Sequence, residues 1–288
     1  MNVLTRSCLI AALASSLAAC QAPAPTQSTQ AAASLFDCPK AEGVKAGYVG
    51  PYRGLEDAIP AADLARDTYC AEVFKASQFP QGFVTVFGSS RIRESNDEPL
   101  KKDYDTLYAE VRKFGADWSR RYGRQLPILS GAGPGLMEAA NRGAAEAGGV
   151  SAGYTTYYDR ASAPTPDRPY AGDPAKAFNR YVNTGVIFTS VAVREAAMVR
   201  HSAAIVIAPG GTGTEWETYQ VLETIKSSQM RRVPVYFFGQ RSMWSGLDAR
   251  LRELVARRVV GADELRFIRF ASTSDELVAA LAADLALK

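Results

Sequence analysis

The run Ile205-Val206-Ile207-Ala208-Pro209-Gly210-Gly211-Thr212-Gly213-Thr214-Glu215-Trp216-Glu217 decides how this chain is read. Its β-branched opening has the composition of a buried strand. Pro209-Gly210-Gly211 ends that strand, and Thr214 is expected to cap a helical pattern that continues through Val221, Leu222 and Ile225. Strand, glycine-rich turn and helix start in succession make an anion site. Without a Cβ in the way, backbone N–H groups come close to a ligand, and the helix N-terminus adds positive potential. Glu217 is expected in the first turn of the helix, its carboxylate aimed at whatever the loop holds. The same residues also make an ordinary strand-to-helix connection of an α/β protein, so the rest of the chain has to decide between the two.

Upstream, Phe83-Val84-Thr85-Val86-Phe87 reads as the first buried parallel strand and runs into Gly88-Ser89-Ser90-Arg91. A small polar turn after a strand is where open α/β sheets place ligands. The polar stretch to Lys102 reads as a loop, and Tyr104 to Tyr122 as an amphipathic helix striped by Leu107, Val111, Phe114 and Trp118. Pro127-Ile128-Leu129-Ser130 is the second strand. It enters a second glycine-rich turn, Gly131-Ala132-Gly133-Pro134-Gly135, which feeds a helix ending at Gly148-Gly149. That turn approaches a dinucleotide fingerprint and misses it, because Leu136 stands at the third glycine. No acidic residue follows at the short strand near Val150, where Ser151-Ala152-Gly153 stand, so dinucleotide binding has little support. From Tyr154 to Tyr181 the chain is rich in Tyr, Pro, Arg and Asp, and such a stretch at the ligand edge is either a lid or disordered.

Val186-Ile187-Phe188-Thr189 is a strand or the start of a helix, and Val191 to Arg200 is a helix carrying Arg194 and Met198. Beyond the central strand come a strand at Pro234 to Phe238 and a helix at Met243 to Arg257. A last strand at Arg266 to Phe270 and a closing helix at Ser274 to Leu285 complete the chain. Strands alternating with helices imply an α/β fold, a mostly parallel sheet with helices on both faces. Residues 81–288 form this domain. Residues 36–80 form an N-terminal helical preface, with a helix from about Ala61 to Ser77 ahead of Pro80.

The 288 residues are 47% hydrophobic and 22% charged, with a net charge of +3. That balance fits a globular domain and gives no reason to expect a nucleic-acid partner. Residues 1–19 read as an export signal: Arg6 supplies the positive start, and the apolar run from Cys8 to Ala19 is too short to span a bilayer. The segment closes Leu17-Ala18-Ala19-Cys20, which resembles a bacterial lipobox, the alternative being an ordinary signal peptide with a chance cysteine. The resemblance implies cleavage before Cys20 and lipidation of that residue. With Gln21 rather than Asp next, it implies a lipid-anchored envelope protein at the outer membrane facing the periplasm. Residues 20–35, rich in Ala, Pro, Gln, Thr and Ser, read as a flexible tether. Cys38 and Cys70 are either a disulfide, as an oxidising compartment allows, or two separate buried thiols.

Several chemistries lack material. His201 is the single histidine, so Ser–His–Asp catalysis and histidine metal sites are not expected, and no acidic cluster suggests a magnesium site. The Pro-Gly-Gly loop lacks the Lys-Ser/Thr ending of a Walker loop. What remains is a phosphate cradle (Gly210, Gly211, Thr212, Gly213, Thr214), a second small-residue turn, one cation in Arg194 and one carboxylate in Glu217. A phosphomonoester held beside a carboxylate suits cleavage between a sugar C1′ and a nucleobase, which passes through an oxocarbenium-like state that a carboxylate stabilises. Arg194 could hold the phosphate or ribose hydroxyls, the alternative being a solvated or salt-bridged arginine.

Four motifs then carry a resemblance. Gly88-Ser89-Ser90-Arg91, Ser130-Gly131-Ala132-Gly133-Pro134-Gly135-Leu136-Met137-Glu138-Ala139-Ala140-Asn141, Arg194-Glu195-Ala196-Ala197-Met198 and Pro209 to Glu217 fall in the order of the LONELY GUY family. That family comprises cytokinin riboside 5′-monophosphate phosphoribohydrolases and bacterial nucleotide nucleosidases, formerly mislabelled lysine decarboxylases. The likeness runs from about Phe83 to the C-terminus, and Asn179-Arg180-Tyr181 and the Trp244 region resemble its longer bacterial members. It implies a Rossmann-like doubly wound sheet, a homodimer with sites near the interface, no dissociable cofactor, and hydrolysis of nucleoside 5′-monophosphates to base and ribose 5-phosphate. Arg194 and Glu217 fall on its catalytic arginine and glutamate, and Gly210 to Thr214 on its phosphate loop. Ser89, Arg91, Gly133, Gly135, Met137 and Met198 fall among the motif residues expected to contact substrate. One departure stands out: the family has Arg-Lys where this chain has Arg194-Glu195. An anion there weakens phosphate binding unless Glu195 points away. The other function class left open is a non-catalytic nucleotide- or cofactor-binding envelope protein on the same scaffold.

Overall fold

Among the described residues eight strands, all parallel, form one sheet in the order β1-β5-β4-β3-β2-β6-β7-β8. They are β1 Tyr48–Val49, β2 Phe83–Phe87, β3 Ile128–Ser130, β4 Ser151–Thr156, β5 Thr184–Phe188, β6 Ser202–Ile207, β7 Val235–Phe238 and β8 Ile268–Ala271. The computed structural model describes residues 35–158 and 172–288. The expected export signal, Cys20, the tether as far as Ser34 and positions 159–171 of the tyrosine-rich stretch lie outside the described residues.

A strand covered on both faces buries every side chain, and β2 and β6 do so along their whole length. Alternation then sorts them into two cores. Val84, Val86, Ile128, Val206 and Phe238 pack under α3 (Leu107–Tyr122), α4 (Leu136–Glu146) and α8 (Ser274–Asp284). Phe83, Phe87, Leu129, Ile205 and Phe237 pack under α1 (Ala61–Gln78), α5 (Val191–Arg200) and α6 (Thr212–Lys226). From β2 the chain winds outward through β3, β4 and β5. Helix α5 then returns it to β6, on the other side of β2, and it continues to β7 and β8. The winding reverses between β2 and β6, so the turns after these two strands diverge and leave a crevice at their C-terminal ends.

Where the elements differ from expectation, short or locally ambiguous sequence is the reason. Phe83–Phe87 is not the first strand: β1, two residues within the preface, pairs Tyr48 with Val186 and Val49 with Ile187. Two residues show no period, and only the burial of Tyr48 marks them. A short helix α2 (Leu100–Tyr104) begins inside the expected loop, and β4 continues through Tyr154, Thr155 and Thr156 of the expected insertion. Of the ambiguous Val186–Thr189, Val186 to Phe188 belong to strand β5. A 3-10 turn, Arg241–Trp244, precedes α7 (Ser245–Ala256). Helix α6 starts three residues earlier than expected, so Gly211 and not Thr214 is its N-cap, and Glu217 stands in the second turn.

The preface is tied to α5. Cys38 and Cys70 are joined by a disulfide. Asp67 on α1 accepts hydrogen bonds from Tyr48 Oη at 2.7 Å and Ser190 N at 2.9 Å. Glu56 accepts from Val191 N at 3.0 Å, Ala192 N at 3.2 Å and the Ser190 hydroxyl. Ser190 itself caps α5 by accepting from Val193 N at 3.1 Å. A carboxylate at a helix N-terminus satisfies orphan N–H groups and complements the dipole.

Candidate active site

The crevice is a cavity of about 980 Å³, walled by the turn after β2, the turn between β3 and α4, the first turns of α5 and α6, and Thr155, Tyr158 and Lys176 to Asn179. At α6 the first helical hydrogen bond of this turn runs from Glu215 N to Gly211 O. The N–H groups of Thr212, Gly213 and Thr214 therefore have no intrahelical carbonyl, and all three residues face the cavity. Gly210 lies behind them, where a Cβ would strike the Thr214 side chain.

The turn between β3 and α4 is held from below. Ser130 Oγ donates to Asn141 Oδ1 at 2.6 Å, and Ala132 N donates back to Ser130 Oγ at 3.0 Å. Asn179 donates through Nδ2 to Gly133 O at 3.1 Å and to Asn141 Oδ1 at 2.9 Å, while its own N–H reaches Ala132 O at 2.8 Å. These bonds keep Ala132 at φ 60°, a left-handed conformation that favours glycine. The reason for a glycine next to it is Arg194: a Cβ on Gly131 would collide with the guanidinium Nη2.

Arg194 is only 2% exposed. Its Nε donates to Tyr154 O at 2.7 Å, and its Nη1 pairs with Glu195 Oε1. Burial works against the charge, but the Glu195 carboxylate, with Tyr158 and Glu217, outweighs it and holds the guanidinium above its ordinary pKa. Glu195 does not point away. It is 3% exposed and lines the same cavity as Glu217, itself 8% exposed. Burial pushes the Glu217 carboxyl well above the usual carboxylate range. The Glu195 carboxylate pushes it further, and Arg194 pulls the other way. The cavity thus combines an anion-binding helix end, a fixed guanidinium and two buried carboxyl groups. Among the described residues no group of three or more His, Cys, Asp or Glu is arranged to hold a metal ion.

A family model described as "Possible lysine decarboxylase" matches residues 137–281, half of the chain. The chain belongs to that family. Under its older label this is the LONELY GUY family, and the match takes in Arg194, the Pro-Gly-Gly loop and Glu217. No curated protein matches the sequence. Among solved structures, the chain is similar to a structural-genomics target, TM1055, at 19% identity and a TM-score of 0.48, with 70% of this chain and 99% of that one covered. It is similar to a molybdenum cofactor binding protein from Rippkaea orientalis at 17% identity and a TM-score of 0.47, covering 70% and 96%. The molybdenum cofactor carrier protein of Chlamydomonas reinhardtii matches at 18% identity and a TM-score of 0.46, covering 71% and 98%.

Of the LONELY GUY motif residues, Ser89, Arg91, Gly133, Met137, Arg194, Gly211, Thr212, Gly213, Thr214 and Glu217 line the cavity. Three expected contacts do not. Met198 lies one turn further along α5 and is sealed in the core beneath the sheet rim. Gly135 turns away from the main cavity; its positive φ lets it lie against the Ser89 and Ser90 backbone. Gly210 is screened by Thr214. Thr155, Tyr158, Lys176 and Trp216 also stand on the wall, though none of them is an expected site residue. Thr155 was hidden by placing the end of β4 too early, and Trp216 by lying one position from Glu217. His201, buried between α5 and β6, contacts Tyr154 Oη through Nδ1 at 2.9 Å and does not line the cavity.

Proposed function

We propose that the protein hydrolyses the N-glycosidic bond of nucleoside 5′-monophosphates, AMP or a modified, cytokinin-type AMP foremost, to free base and ribose 5-phosphate. The observation that carries this reading is the shared cavity of Arg194, Glu217 and the open N-terminus of α6. The N–H groups of Thr212, Gly213 and Thr214 hold the 5′-phosphate. Arg194, immobilised by Tyr154 O and Glu195, orients the phosphoribosyl group. Glu217 faces the charge that develops at C1′ and handles the protons of the reaction. The reading includes a homodimer and an envelope location with Cys20 lipidated at the outer membrane, facing the periplasm. The Cys38–Cys70 disulfide supports an oxidising compartment.

One observation favours a second reading, a non-catalytic binder of nucleotides or a cofactor: the cation that would meet the ligand is already paired with Glu195. The test incubates the chain from Gln21 onward with each common nucleoside 5′-monophosphate and separates released base by chromatography, with Glu217→Ala alongside. Base release from the wild type, reduced by about a hundredfold or more in the variant, is expected. A ligand-dependent rise in melting temperature without base release would instead favour the binder.

A further inference from the structure

Glu195 is the residue at which this chain departs from its family, and its side chain is turned inward. Oε1 pairs with Arg194 Nη1. Oε2 is buried and, among the described residues, finds no donor. A bare carboxylate oxygen in the interior is costly unless something supplies a proton. The Glu217 carboxyl is buried on the wall of the same cavity, and two neighbouring carboxylates out of water do not both stay ionised.

We propose that Glu195 and Glu217 form a carboxylic acid–carboxylate pair sharing one proton, in which Glu195, paired with Arg194, is a positioning residue that keeps Glu217 in its acid form. The raised pKa of Glu217 agrees in direction, with burial the larger cause and Glu195 the next. Among the described residues the other charged or titratable groups on the cavity wall are Arg91 after β2, Glu138 on α4, Tyr158 after β4 and Lys176. Of these, Glu138 is engaged by Tyr108 Oη at 3.0 Å.

Resting on the hydrolase reading, the pair assigns Glu217 the part of general acid. As the C1′–N bond breaks, its electron pair passes to the base nitrogen, which takes the Glu217 proton. Water adds its oxygen to C1′ and returns a proton to the Glu217 carboxylate. The products are free base and ribose 5-phosphate, and the pair is restored with its one proton.

The full chain carrying 13C-carboxyl glutamate, examined by isotope-edited infrared spectroscopy, tests the pair without needing turnover. A protonated-carboxyl band is expected at neutral pH in the wild type, lost in Glu217→Gln. It is also expected to be lost in Glu195→Gln, where Glu217 ionises beside Arg194. The glutamine side chain of that variant still offers an amide oxygen to Arg194, so the geometry survives. Titrating the band in the wild type guards against a variant that fails to fold: it should disappear as pH rises. Absence of the band in the neutral wild type, or its persistence in folded Glu195→Gln, overturns the pair.

In the base-release assay Glu195→Gln is expected to lower kcat/KM at neutral pH by about a hundredfold and move the alkaline limb to lower pH. Glu195→Asp should keep that limb in place. An infrared band that behaves as stated without any base release sinks the hydrolase reading and leaves the pair standing. Base release with an alkaline limb unmoved in Glu195→Gln sinks the pair and leaves the hydrolase.

Discussion

Glu217 should write its protonation into the stability of the protein. Unfolded, it loses its proton near 4.5; folded, burial and Glu195 hold the proton to well above that. Between the two values the native state binds more protons than the unfolded state, so stability present below 4.5 is lost as pH rises through the raised value. Glu217→Gln has no such proton to lose. Calorimetric melts across pH are expected to show the variant gaining on the wild type with rising pH, by up to about 1.4 kcal/mol per unit within that window. A wild type that gains on the variant would contradict the burial argument. At this scale the sequence was informative where chemistry requires a residue type. Arg194, Glu217 and the run Gly211 to Thr214 were legible because glycines, a helix start and one charge of each sign fell in order. The direction of Glu195 was not. Neighbours on a helix lie on different sides, and only the packing of α5 against α1, β4, β5 and β6 buries both Arg194 and Glu195.

Helix α5 carries both residues, and its first turn is fixed by groups far away in the chain. Glu56 supplies acceptors for Val191 N and Ala192 N, and Asp67 for Ser190 N. Glu56→Ala removes the first of these and leaves the Ser190 cap in place. A loss of about 1 kcal/mol is expected, the usual worth of a helix cap, with faster hydrogen exchange at the Val191 and Ala192 amides read by mass spectrometry or NMR. Unchanged exchange there would mean that Ser190 alone holds the helix start. None of this was visible beforehand, because a glutamate in a 3-10 turn 135 positions upstream of Val191 gives no local signal. The long elements were: α3, α5 and the buried strands β2, β6 and β7 follow from periodicity and from glycine and proline punctuation. The two-residue β1 and the start of α6 were not, since pairing to β5 and the carbonyl of Gly211 decide them.

For the molecule as a whole, the disulfide is what fastens the preface to itself before the preface fastens α5. It closes a loop of 32 residues' separation, and in the chain-entropy picture such a closure is worth about 3–4 kcal/mol. Cys38→Ala with Cys70→Ala is expected to lose that much in denaturant unfolding. Added reductant should reproduce the loss in the wild type and do nothing further to the variant. The sheet as a class was legible from alternating strands and helices, whereas the reversal between β2 and β6 was not, because strand order depends on which side of β2 the chain returns to after α5. That reversal gathers charges of both signs around one opening. Among the described wall residues Arg91, Lys176 and Arg194 stand against Glu138 and Glu195, with Glu217 in its acid form, on a chain whose net charge is +3. A doubly charged phosphate ester approaching from solution therefore meets only a slight long-range pull. Its collisions are weakly steered and slow only modestly as ionic strength rises, so most of the selection comes once the ester has entered.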